Sequence, residues 1–136
     1  MNSISVFWTI VIVGCLISSL SFSQEKRESI MRGKSIYLND CITCHMADGL
    51  GITGAFPPLV DSDYFKDDIS KAVDAILNGL TGELEVNGTF YYGEMPPAKL
   101  TDQQVADILN YIQNALNKKD IELTEKDIQK MKGIQP

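Results

Sequence analysis

Positions 41–45 read Cys41-Ile42-Thr43-Cys44-His45. Two thiols three positions apart, followed at once by an imidazole, form the C-x-x-C-H signature of c-type haem attachment, in which each thiol adds to a vinyl group of the macrocycle. On one helical turn, positions i and i+3 share a face, so both sulfurs can reach the same edge of a ring. The imidazole is then carried under the iron as proximal ligand, and His45 is the only histidine in the 136 residues. A zinc site would need two more Cys or His ligands, and beyond residue 23 the chain has none. A thioredoxin-like redox pair would need a strand before the motif, whereas residues 30–39 read as a helix.

Outward from the motif, the charges divide the chain. All 12 Lys/Arg and all 18 Asp/Glu lie after residue 23, giving a formal net charge of −6. Residues 1–23 read as a signal peptide or membrane anchor, with Ser5–Phe22 as the apolar stretch and Ser21-Phe22-Ser23 as a small-residue cleavage pattern. Three fates stay open: cleavage after Ser23, retention as an anchor of about 18 residues, or lipidation of Cys15 in the lipobox-like Ile12-Val13-Gly14-Cys15. Each puts the remainder outside the cytoplasm, in the periplasm, with possible membrane attachment through residues 5–22 or Cys15. There, two cysteines alone make no disulfide framework, which again leaves haem as their explanation. An acidic chain argues against nucleic acid, whose phosphates reward clustered Lys/Arg.

Several further residues accompany the pentapeptide: Gly33 and Tyr37 before it, Phe56-Pro57-Pro58-Leu59 after it, Met95-Pro96-Pro97, and a closing amphipathic helix with Tyr111. With these, residues 29–117 resemble the monohaem class I c-type cytochromes. The resemblance implies an all-α domain over 24–117 wrapped around one covalent haem c with its iron. It implies outer-sphere electron transfer between redox partner proteins, as a free carrier or as the cytochrome subunit of an oxidoreductase or respiratory complex, and no catalysis by the chain itself. It also implies a methionine opposite His45. Of Met31, Met46, Met95 and Met131, Met46 adjoins His45, Met31 precedes the motif in its helix and Met131 sits in a charged tail. Met95 falls where the family's axial methionine does, in an extended loop that Gly93 and the prolines should fix; plain core packing is its alternative. In the family, the carbonyl of a proline about a dozen residues after the histidine accepts the other ring N–H, and Pro57 matches best. Leu59, Ile52, Phe56 and Leu100 are candidates for packing on the haem or for ordinary core. With Trp8 confined to the leader, Tyr64 is the candidate for propionate contact. Were Met95 not a stable ligand, an open iron would suit a gas sensor or peroxidase-like chemistry, although the chain has no second histidine for distal acid–base work.

Elsewhere the pattern predicts a helix from a Ser29 cap to about Asn39, with Ile30, Gly33, Lys34 and Tyr37 on one face. A second should start at Asp67 or Asp68 and stop at Gly79. Two short strands within 84–91 should flank Asn87-Gly88, the strongest short hairpin signal. Thr101-Asp102-Gln103-Gln104 reads as a capping box opening a helix with Val105, Ile108, Leu109, Ile112 and Leu116 at helical spacing. The resemblance implies that this helix crosses the first near Gly33, Tyr37, Ile108 and Tyr111. Residues 118–136 form a charged extension in which Thr124–Lys132 suggests one more short helix. Between Cys41 and Phe65 the only charges are Asp48, Asp61 and Asp63, so nothing resembles a lysine-rich collar, and an apolar or basic docking site on the partner is favoured.

Overall fold

The structure is a computed structural model and describes residues 24–132; the leader expected over 1–23 lies outside them. The chain is helical from residue 24 through 36 (α1). It passes through a π-helical turn, Tyr37–Cys41, into the short helix α2, Ile42–His45. A long loop leads to α3, Ser70–Asn78, which opens where Asp68 accepts hydrogen bonds from the backbone N–H and hydroxyl of Ser70. A hairpin follows, β1 Leu80–Val86 paired antiparallel with β2 Thr89–Met95. Next come α4, Asp102–Tyr111, its π-helical continuation Ile112–Leu116, and α5, Glu125–Lys132. Among the described residues, no helix is long and apolar enough to cross a membrane.

Helices α1 and α4 cross at the expected place. A Cβ on Gly33 would stand 1.9 Å from the Asp107 carbonyl oxygen and 3.0 Å from Ile108 Cα, so only glycine allows this approach. One turn on, the Tyr37 and Tyr111 rings meet with centroids 5.3 Å apart at 54°, a favourable tilted arrangement. The capping box is present: Thr101 Oγ1 accepts from Gln104 N–H while Gln104 Oε1 accepts from Thr101 N–H. Tyr37, Val73, Val105, Ile108 and Leu109 form the centre of the core, with Ile128 of α5 buried among them. Full burial of Ile128 contributes about 2 kcal/mol, more than the exposed ion pairs of the extension supply.

Four expectations are corrected. Ser29 does not cap α1 but lies inside it, buried, where its hydroxyl donates to Asp107 Oδ1 at 2.7 Å. A tertiary partner on α4 wins over local capping. The first helix does not stop at Asn39, because the π turn carries it on to the motif. Lys34 is exposed, and the buried face of α1 carries Ser29, Gly33 and Tyr37 instead. The strands reach beyond 84–91 to 80–95, so Met95 ends β2 rather than sitting in an extended loop. Gly93 does not break the strand, since it pairs with Gly82. The turn itself is as read: Asn87 (φ 52°) and Gly88 (φ 72°) are both left-handed, as a type I′ turn requires. Asp63 and Asn87 exchange two backbone-to-side-chain hydrogen bonds that tie this turn to the preceding loop.

Candidate functional site

Helix α2 and the last residue of the π turn before it carry Cys41, Cys44 and His45 within five consecutive residues, and Met46 (φ 62°, ψ 167°) ends the helix abruptly. The buried hydroxyl of Tyr37 donates to the Met46 carbonyl at 2.6 Å, fixing that exit. Both cysteines are half-buried and free of any disulfide. Burial, with Asp40 and Cys44 adding to it, pushes the Cys41 thiol up to about 11. His45 is buried, and its Nδ1 stands 2.9 Å from the Pro57 carbonyl oxygen. A carbonyl only accepts, so Nδ1 carries the proton and Nε2 is left with its lone pair free. Burial lowers the basicity of His45, and the Pro57 bond opposes this in part.

Two adjoining hollows, ≈ 630 and ≈ 1120 Å³ including space open to solvent, share Cys41, His45, Pro57, Leu80, Leu84, Met95 and Ile108 among their walls. Cys44, Phe56 and Leu100 line the larger, and Leu59 and Tyr64 the smaller. Ile52 is exposed and lines neither. Lys71 stands 5.8 Å over the Tyr64 ring, a cation–π distance. Met95 is held from two sides. It pairs with Leu80 across the sheet, and a Cβ on Gly79 would come within 2.4 Å of its carbonyl oxygen. Just beyond, Ala98 N–H donates to the Ile76 carbonyl at 2.8 Å, tying the proline segment to α3.

The walls from the hairpin escaped the sequence reading. Leu80, Leu84, Tyr91 and the Gly82–Gly93 pair all border the larger hollow. Their signal was period-two alternation beyond 84–91, which glycines at 82 and 93 obscure.

Two free thiols, an imidazole with one nitrogen engaged and the other open, a thioether and aliphatic walls suit a flat apolar macrocycle bearing an iron. The fold and site therefore define a helical domain built to hold covalent haem. A model of the Cytochrome c family matches residues 30–116. Cytochrome c-552 of Thermus thermophilus is 35% identical over 111 residues, spanning 76% of this chain and 76% of that protein. A second cytochrome c-552, from a named strain of the same species, is likewise 35% identical over 111 residues, spanning 76% of this chain and 67% of that protein. The cytochrome c subunit of the quinone alcohol dehydrogenase of Gluconobacter oxydans strain 621H is 32% identical over 105 residues, 74% of this chain but 22% of that subunit. The chain belongs to the cytochrome c family, as a class I c-type cytochrome with covalent haem c and its iron. Its business is electron transfer.

Proposed function

We propose that the chain is a periplasmic carrier of single electrons. Cys41 and Cys44 would hold the haem through thioether links, and His45 and Met95 would hold its iron. The bound group supplies a one-electron Fe(II)/Fe(III) couple. The observation that carries the assignment is the 2.9 Å contact of His45 Nδ1 with the Pro57 carbonyl, in a hollow that Met95 also lines. The carbonyl fixes the tautomer and aims Nε2, and proline's locked φ keeps that carbonyl in place. Met95 would add a neutral, soft sulfur donor, which would favour the reduced state and close the iron to outside ligands. Leu59, Leu80 and Leu84 keep water from the ring. Electron donor and acceptor are other redox proteins. The alcohol dehydrogenase relative supports service as an oxidoreductase subunit, and the cytochrome c-552 relatives support a separate small cytochrome.

Optical spectra of matured wild type and Met95→Ala test the ligand set. Wild type should be low-spin in both oxidation states, with a weak far-red sulfur-to-iron band that the variant lacks. The variant should bind CO readily and lose on the order of 100 mV or more of midpoint potential. High-spin wild-type iron that takes CO would overturn the ligation and turn the reading toward sensing or peroxidase chemistry.

A further inference from the structure

The hairpin has two faces of opposite character. On the inner face, Leu80, Leu84, Val86, Tyr91 and Met95 are buried or half-buried against the domain. On the outer face stand Thr81, Glu83, Glu85, Phe90, Tyr92 and Glu94, all exposed, with Tyr92 at 68% and Phe90 at 47%. Residues 80–95 hold three carboxylates and no cation, and none of the three is ion-paired with a described residue. Cross-strand pairing sets Glu83 beside Tyr92 and Glu85 beside Phe90, so charge and ring alternate over a single patch. The neighbouring Glu83 raises the pKa of the Tyr92 phenol.

Between the Glu83–Tyr92 and Thr81–Glu94 pairs lie Gly82 and Gly93, directly opposite each other. Both border the hollow that Cys41, Cys44, His45 and Met95 line, and a Cβ on either would meet nothing within 4 Å. No side chain thickens the sheet at this pair, so only backbone separates the patch from the cofactor site. Glu83 and Glu94 stand at the rim of the same hollow. Electron transfer weakens steeply with distance, so a protein seated on this face gains a short path.

We propose that the outer face of the hairpin, centred on Glu83, Tyr92 and Glu94, is a docking surface for a redox protein presenting a lysine- or arginine-rich patch. The proposal rests on the electron-transfer reading above and specifies the partner's chemistry. A second copy of this chain is disfavoured, because facing hairpins would bring six carboxylates together without counter-charge. An anionic membrane is disfavoured for the same reason. A basic partner gains attraction during encounter, and its arginines or lysines can then lie against Phe90 and Tyr92.

The test uses the haem-loaded full chain, with E83Q/E85Q/E94Q set against E28Q/E122Q/E125Q, a control removing the same charge from α1 and the C-terminal segment. Oxidation of the ferrous protein is timed with a cationic cobalt(III) phenanthroline complex and with anionic hexacyanoferrate(III), one electron leaving the haem and reducing one metal complex. At low salt the hairpin triple should slow the cobalt reaction about tenfold and the control less than about twofold, the difference vanishing as salt is raised. A redox-inert lysine-rich peptide should shift the amide resonances of residues 81–94 in wild type and leave them unmoved in the hairpin triple. Equal slowing in both triples, or peptide shifts centred elsewhere, overturns the docking surface. Failure of the electron-transfer reading is a separate outcome, in which wild type exchanges electrons with neither complex.

Discussion

Gly33 shows how a single hydrogen atom in place of a methyl sets an interhelical distance. With a Cβ 1.9 Å from the Asp107 carbonyl oxygen, alanine cannot fit unless α1 and α4 part, and neither wall is the far end of a flexible side chain. Parting them also pulls Tyr37 from Tyr111 and strains the buried Ser29–Asp107–Arg32 contacts. Gly33→Ala should therefore destabilise the haem-loaded protein by about 3 kcal/mol, at the upper end for overpacking, as read from denaturant midpoints. A loss under about 0.5 kcal/mol would mean that the crossing is looser than described. Asn110 poses the opposite case, a polar side chain with no exposure that is fully used. Its Nδ2 donates to Ser29 Oγ and the Leu123 carbonyl, and its Oδ1 accepts from Leu123 N–H. Asn110→Ala would strand those groups, costing about 2–3 kcal/mol, and should let proteases cut near residue 123 faster than in wild type.

At the scale of elements, the C-terminal segment is tied down by polar contacts as well as by Leu123, Ile128 and Met131 against the core. Asn110 and Asn114 bind the backbone at Leu123 and Ile121, Lys26 pairs with Asp120, and Lys132 pairs with Asp102 at 2.7 Å. The Thr124 hydroxyl and N–H donate to Asp127 and hold its carboxyl below the ordinary range, while Lys26 does the same for Asp120. A carboxylate with a depressed folded-state pKa adds stability that is present above its unfolded value and lost as pH falls through the folded one. Segment 118–132 should thus stay closed at neutral pH and begin to open below about pH 4, seen as faster amide exchange in α5 before the haem spectrum changes. Simultaneous change of both would contradict a separately opening segment. The same distinction between local and distant partners explains what could be read without the fold. The Thr101 box and the Asn87-Gly88 turn were legible because their chemistry closes within four residues. The C-x-x-C-H turn was legible for the same reason, and Pro57 and Met95, which the family resemblance singled out, line one hollow with it. The place of Ser29 was not, because Asp107, 78 residues away, decides it. Nor was the full length of the hairpin, where the Gly82–Gly93 pair hides the alternation that defines a half-buried strand.

Across the whole molecule, the core is arranged around a space rather than through it. Leu59, Leu80, Leu84, Met95 and Leu100 all border the hollows and are only half-buried by the protein's own side chains. A macrocycle covering them would add about 1 kcal/mol of burial for each, roughly 5 kcal/mol in all. A domain of this size is stable by about 5–15 kcal/mol in total, so this contribution is large enough to decide whether the chain folds. Covalent attachment adds to the effect, because a tethered haem stays with the unfolded chain at high effective concentration and is present whenever the walls close. Haem attachment and folding should therefore be coupled. A Cys41→Ser/Cys44→Ser chain produced without haem should retain much of its helical signal but lose fixed aromatic packing and unfold over a broad range of temperature, without a sharp transition. The Tyr37–Tyr111 contact gives near-ultraviolet dichroism a local reporter, since both rings lie in the core beside the site. A sharp, cooperative transition in the haem-free variant, with that signal intact, would show that the helix crossing at Gly33 suffices and that the cofactor occupies a scaffold already stable without it.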